Sequence, residues 1–286
     1  MRQIFYNFYL LISRFYSFLF SKKYLQDLNN VFFNLTIKAK GYSNYGSLYE
    51  TGELSFIKLI SKFNPKLSID VGANVGNFSK ILLQYTNTKV IAFEPLPEAF
   101  KILKGISNKN NNRFFPYNYG LGKKRSKSKL FYNNKYSQLA TYNKNYSKVT
   151  FFNNDKPKKI VTKISSLDQF YYQNKNFFLE NGLDFIKIDV EGNEYNVLEG
   201  AKNTINKFQP NFIQIEINSY NIFSNHSLNF ISKALPNYKI FQILPYDSGL
   251  KKVNSDHPVF NLFYLSNFVF INKNFIRLNS KFIKCH

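Results

Sequence analysis

One short segment constrains the fold of this chain more than any other. Asp70-Val-Gly-Ala-Asn-Val-Gly76 follows an apolar run, Leu67–Val71, and precedes a stretch with helical spacing, Phe78–Tyr85. A strand that ends in a glycine-rich turn and opens a helix is the first half of a βαβ unit. Gly72 lets the backbone turn tightly and approach a ligand closely. Gly76 permits a helix to pack near its strand.

The rhythm repeats downstream. Lys89–Phe93 reads as a second strand, Pro97–Leu103 as a helix and Arg113–Asn118 as a third strand. Asp184–Val190 is a further strand. Glu194, Val197, Leu198, Ala201 and Ile205 mark a helix that Pro210 helps to end, and Phe212–Ile217 follows as a strand. Such alternation predicts right-handed crossovers and a parallel sheet. Tyr238–Leu244 and Phe268–Asn272 read as two last strands, spaced for an antiparallel pair. The expected fold is therefore α/β, a mostly parallel, doubly wound Rossmann-like sheet with an antiparallel C-terminal edge. Residues 120–182 interrupt the rhythm over a span too long for a plain connection. They open with Lys123, Lys124, Arg125, Lys127 and Lys129, and predict a basic hairpin or flap inserted into a domain of residues 50–286.

Residues 1–49 precede that domain and read as a helical extension. In the first twenty, Gln3, Asn7, Arg14 and Ser17 share one helical face, and Phe5, Phe8, Ile12, Phe15 and Leu19 the other. The run is too short and too charged for a membrane span, and no small-residue cleavage site follows it. With Lys22 and Lys23 behind it, residues 1–23 fit an interfacial helix on an anionic membrane, or a helix docked on protein. The expected location is cytoplasmic, peripheral on the inner face of the membrane.

Charge points the same way. The chain holds 39 Lys and Arg against 17 Asp and Glu, a net +22, which favours anionic partners. Phe, Tyr, Ile, Asn and Lys share A/T-rich codons, so part of this excess reads as coding bias. Cys285 is the single cysteine, which excludes an internal disulfide and a cysteine-built zinc site.

The glycine turn could serve a nicotinamide, a flavin or S-adenosylmethionine. Its spacing is G-x-x-x-G, not the G-x-G-x-x-G of dinucleotide sites, so a pyrophosphate is less well served. Glu94 ends the second strand about 20 residues beyond the glycines, where an acid binds ribose hydroxyls.

These segments resemble the FkbM family of methyltransferases. The resemblance rests on residues 68–78, on Ala-Phe-Glu-Pro at 92–95, on Asn118-Tyr-Gly-Leu-Gly122 and on Ser166-Leu-Asp168. It continues through Ile186-Lys-Ile-Asp-Val-Glu-Gly-Asn-Glu194, Val197-Leu-Glu-Gly-Ala201, Gln209-Pro, Ile215-Glu216 and Asn267-Phe-Val-Phe. It implies a class I methyltransferase fold, S-adenosyl-L-methionine as methyl donor, and a hydroxyl acceptor on a sugar, glycolipid or polyketide. By carry-over, Asp70, Gly72, Asn74 and Gly76 line the methionine part of the donor, with Ala73 among its contacts. Glu94 holds the ribose, and Asn118 and Leu121 lie near the adenine.

A hydroxyl acceptor must lose a proton, so a base is needed within hydrogen-bond reach. Asp189 and Glu191 flank Val190, and strand alternation places both on one face if the strand reaches that far. They are the expected bases, with His226 behind them; no metal site is assigned. The expected acceptor is a small molecule or glycan, a precursor of surface polysaccharide. Two alternatives compete. The basic cluster would suit an RNA or other nucleic-acid methyltransferase, although no Asn/Asp-Pro-Pro-aromatic motif is present and no nucleic-acid partner is expected. The chain could also be a non-catalytic, membrane-associated binding module.

Overall fold

The computed structural model describes residues 2–110, 112–133, 139–148 and 157–280. Eight strands form the main sheet. The first is β1 (Leu67–Val71), whose five residues are all buried. Its alternation sorts two chemistries. Leu67, Ile69 and Val71 enter one apolar layer, and Ser68 and Asp70 face the other side, where Ser68 bonds Thr88 at 2.8 Å.

β1 pairs in parallel with β2 (Lys89–Phe93) on one side and β7 (Phe185–Ile188) on the other. β3 (Phe114–Tyr117) extends the sheet beyond β2, and β8 (Phe212–Ile217) extends it beyond β7, both in parallel. The order then turns antiparallel through β11 (Ser266–Asn272), β9 (Tyr238–Ile243) and β10 (Leu250–Lys252). The doubly wound sheet with an antiparallel C-terminal edge is thus present. One detail differs from the expected edge pair. β11 lies between β8 and β9, and β10 is the outermost strand. Every residue of β11 is buried, including Val269, Phe270 and Ile271, so the strand has the composition of an interior position.

Helices cover both faces. α3 (Glu53–Ser61), α4 (Asn77–Tyr85), α5 (Pro97–Lys109) and α12 (Lys273–Leu278) flank one side, where Phe56, Phe78, Phe185 and Phe212 pack together. The other face carries α6 (Leu167–Gln173), α7 (Lys175–Asn181), α8 (Glu194–Glu199), α9 (Lys202–Phe208) and α11 (Leu228–Ser232), while α10 (Tyr220–Ser224) packs through Tyr220 against Leu139. Burial of each large side chain contributes about 1.5–3 kcal/mol. The single helix expected over 194–205 is two helices. Gly200 lies against the carbonyl of Gly122 with no room for a Cβ, and the chain turns there. Asp168 caps α9, accepting from the amides of Asn203 and Thr204 at 3.1 and 2.8 Å.

A small sheet departs from this body. β4 (Gly120–Leu121) runs parallel to β6 (Lys158–Ser165), and β5 (Ser126–Tyr132) pairs antiparallel with β6. Parts of the segment joining β5 and β6 lie outside the described residues. α6 and α7 return the chain to the main body, so the segment that breaks the rhythm ends near Ser165.

α1 (Arg2–Phe20) and α2 (Gln26–Ala39) precede the sheet. Tyr16 donates to Asn29 at 2.7 Å, which ties the helices together. Phe5, Phe8, Ile12 and Phe15 are exposed, as are Val31, Phe32 and Leu35 of α2. No helix among the described residues is long and apolar enough to cross a membrane.

Candidate active site

β1 leaves toward β2 on one side and β7 on the other. Ligands of open α/β sheets bind beyond the carboxyl ends of the strands at such a reversal. A cavity of about 340 Å³ opens there, within the range of cofactor sites. The ends of β1, β2, β7 and β8 deliver Asp70, Glu94, Asp189 and Glu216 to its wall.

The turn after β1 is fixed largely by backbone. Gly72 has φ +83°, and a Cβ there would run into the carbonyl oxygen of Asp189. The space that glycine leaves is thus filled by the loop after β7, where the sequence pointed to a ligand. Gly76, at φ +79°, lies against Leu103 and Ile106, so it allows α4 to meet α5 more than β1. Asn74 also has positive φ, at 49°. Its amide donates to Glu94 Oε2 at 2.8 Å, and the amide of Leu96 donates to Glu94 Oε1 at 2.7 Å. Burial pushes the Glu94 carboxyl up to about 7, against the pull of these two amides.

Asp70 is buried. Its Oδ2 accepts from the Ser79 hydroxyl at 2.6 Å, and its Oδ1 has no partner in the structure. Burial also raises this carboxyl. A buried acceptor without a partner costs free energy until a donor reaches it. S-adenosylmethionine offers an ammonium, two ribose hydroxyls and a sulfonium. The orphaned Asp70 oxygen, the Glu94 carboxylate and the apolar wall of Val75, Leu121 and Leu130 are complementary to these groups. Gly72, Ala73 and Asn74 line the same wall; Gly76 does not. Asn118 is exposed, and its amide donates to the carbonyls of Glu94 and Pro95 at 2.9 and 3.3 Å. It braces the Glu94 loop from outside the cavity wall.

The opposite part of the wall is acidic. Oxygens of Asp189, Glu191 and Glu216 lie within 4.8 Å of one another. The strand does not carry Asp189 and Glu191 here by alternation, since β7 stops at Ile188. A turn does so, with Glu191 at φ 54° and Gly192 at φ +92°. Asn218 bridges two of the acids, donating to Glu191 at 2.7 Å and Glu216 at 3.2 Å. Burial raises Glu191 well above the carboxylate range, and the charges of Glu216, Asp189 and Glu194 add to it. Asp189 meets Lys187 in an ion pair of 2.6 Å. Glu194 caps the turn, accepting from the amide of Gly192 at 2.9 Å and from Asn221 at 2.8 Å. Burial pushes it up to about 7.

His226 is not part of this assembly. Its ring packs between Tyr195 and Phe230, with centroids at 4.7 and 5.0 Å, outside the cavity wall. Burial lowers its basicity. Several residues without an assigned role do line the wall: Lys187, Glu53, Asn44, Tyr45 and Asn267. Burial, then the charges of Glu216 and Glu191, pushes the Tyr45 hydroxyl up to about 12. Lys187 sits inside the Lys-Ile-Asp-Val-Glu-Gly segment and carried a readable signal as a lysine in an otherwise apolar strand. Asn44 and Tyr45 carried none. The segment after β5 completes the wall through Leu139, Ala140 and Tyr142, and the Thr141 hydroxyl donates to the Glu191 carbonyl at 2.7 Å.

Two solved structures are similar over most of their length. An O-methyltransferase from Bacillus cereus, solved with S-adenosylhomocysteine, is 12% identical with a TM-score of 0.42, covering 92% of this chain and 97% of that one. An rRNA methylase from Streptococcus thermophilus is 10% identical with a TM-score of 0.39, covering 76% and 93%. No curated protein matches the chain. The profile described as the methyltransferase FkbM domain matches residues 70–239, more than half of the sequence, from the end of β1 through β8. The chain belongs to the FkbM family of S-adenosylmethionine-dependent methyltransferases.

Proposed function

We propose that the chain transfers a methyl group to a hydroxyl of a sugar, glycolipid or surface-polysaccharide precursor. The observation that supports this reading most is the convergence of Asp189, Glu191 and Glu216 on the cavity that Gly72, Ala73 and Asn74 also line. When bound, S-adenosylmethionine supplies an electrophilic methyl on a sulfonium, so catalysis is largely positioning. Asp70 and Glu94 hold the donor. Glu191 takes the hydroxyl proton as the new C–O bond forms; burial raises its proton affinity. Asp189, paired with Lys187, orients the hydroxyl. The wall of Leu139, Ala140 and Tyr142 keeps water from the transfer.

The acceptor is reached from an anionic membrane surface, peripherally. Residues 1–40 carry six basic side chains, Arg2, Arg14, Lys22, Lys23, Lys38 and Lys40, against the single acid Asp27. Together with the exposed apolar faces of α1 and α2, this composition matches an interfacial anchor. A second reading, methylation of RNA, draws on the β5–β6 hairpin. Lys127 lies directly opposite Lys163, and both are exposed. Like charges in that register destabilise a hairpin unless an anion meets them.

Incubating the protein with methyl-tritiated donor and fractionated bacterial membranes, glycans and RNA tests both. Label in an alkali-stable ether of the glycan or glycolipid fraction is the expected result. Label in RNA alone would replace the first reading with the second.

A further inference from the structure

The cavity inverts the charge of the protein around it. Across the whole sequence, Lys and Arg outnumber Asp and Glu by 39 to 17. Yet Glu53, Asp70, Glu94, Asp189, Glu191 and Glu216, six of those 17 acids, line this one cavity. Among the described residues of its wall, Lys187 is the only base.

Lys187 is buried, 6% exposed. Its Nζ lies 2.6 Å from Asp189 Oδ2 and 5.2 Å from the centre of the Phe78 ring. Asp189, on the loop after its own strand, pairs with it directly, and the charges of Glu53 on α3, Asp70 on β1 and Glu216 on β8 also act on it. Burial alone would lower its proton affinity, but those four charges hold it well above the ordinary lysine range. The effect is mutual. Burial raises Glu53, Asp70 and Glu216, and Lys187 pulls each of them back. A buried carboxyl with no cation nearby takes up a proton instead of staying charged.

The reaction neutralises one cation and one carboxylate in this cavity. As the C–S bond breaks and the methyl joins the acceptor oxygen, the sulfonium becomes a neutral thioether and the hydroxyl proton goes to a carboxylate. A wall of negative charge holds the first form more tightly than the second.

We propose that this cavity selects the methyl donor over its demethylated product by charge, and that Lys187 is the positioning residue that sets the selection. It does so by keeping carboxylate charge in a site where burial would otherwise discharge it. Product then leaves more readily than donor. The inference rests on S-adenosylmethionine being the donor.

Calorimetry on the full chain with S-adenosylmethionine and S-adenosylhomocysteine tests it without any acceptor. At pH 7.5 the wild type binds the donor about tenfold more tightly than the product, the scale expected of one charge in a partly screened site. In Lys187→Met the product binds as before, and the donor weakens until the two are nearly equal. Raising the pH to 8.5 restores donor binding as protons leave the carboxyls. Repeating the titration in buffers of different ionisation enthalpy shows proton release on donor binding by the variant. Equal affinity of the wild type for both ligands overturns the proposal, as does a loss in Lys187→Met that is the same for both and unchanged by pH. If Lys187→Met does not fold, the wild-type ratio and its collapse in Asp189→Asn decide the matter. If neither ligand binds the wild type, the donor assignment itself fails, a result distinct from equal binding.

Discussion

The two ends of the cavity are built on different principles. At the donor end, position is held by backbone. Gly72 meets a neighbouring carbonyl, and two loop amides close on Glu94. At the acid end, position is held by side chains that balance one another: Lys187 against Asp189, and Asn218 between Glu191 and Glu216. A backbone site tolerates little change and fails as a whole. A side-chain site fails by degrees, and its failures follow pH.

Substitutions can break this contrast, and the largest effect belongs to the donor end. Gly72→Ala adds a Cβ at positive φ against the Asp189 carbonyl. Loss of more than about 3 kcal/mol of stability is expected by denaturant unfolding, the scale of backbone clash and strain together. Glu94→Ala comes next, leaving one buried and one partly buried amide without an acceptor, at up to about 1–3 kcal/mol each. Donor binding should be lost by calorimetry while the fold persists; retained binding would show that ribose recognition lies elsewhere. Asn218→Ala removes the bridge between two glutamates and should cost about 1–3 kcal/mol. Its loss should grow with pH as the pair ionises, whereas the loss in Gly72→Ala should be flat.

The smallest effect sharpens the comparison by pH alone. Glu94 and Glu194 both rise from 4.5 to about 7 through burial. Each then binds a proton in the folded chain that the unfolded chain has released. Their contribution to stability is complete below pH 4.5 and is lost as pH rises through 7. Without ligand, the melting temperature should therefore fall between pH 5.5 and 8. The fall should be shallower in Glu94→Gln and in Glu194→Gln, and an unchanged slope in both would show that neither carboxyl holds a proton.

The donor end was the more legible of the two, and for the same reason. Backbone geometry at positive φ favours glycine, so Gly72 and Gly76 mark the turn in sequence, and a strand end places Glu94 at a fixed distance. The parallel strands were legible as apolar runs with turn signals between them. The acid end was legible in part. Asp189 and Glu191 stood out, but the alternation expected to join them gives way to a turn after Ile188. Glu216 and Lys187 reach the site from separate strands, and Glu53, Asn44 and Tyr45 from a segment more than a hundred residues away in sequence. Only the fold brings such groups together. His226 shows the converse. Histidine chemistry drew attention to it, and its aromatic neighbours Tyr195 and Phe230 place it in packing. The antiparallel pairing of β9 with β11 was legible, but not the place of β11 beside β8 or of β10 at the edge, because spacing does not tell which second partner a buried strand will choose.

That order has a consequence for how the protein is made. β11 is the last strand of the sheet to be synthesised, yet it sits between β8 and β9. Until residues 266–272 leave the ribosome, β9 and β10 have no seat on the sheet and β8 presents a bare edge. Leu265 and Asn267, which belong to the cavity wall, arrive in the same stretch. The parallel half can form during translation, while the pocket closes only as a late step. The nascent chain therefore passes through an interval with an open, apolar edge, when association with another chain competes with completion of the sheet.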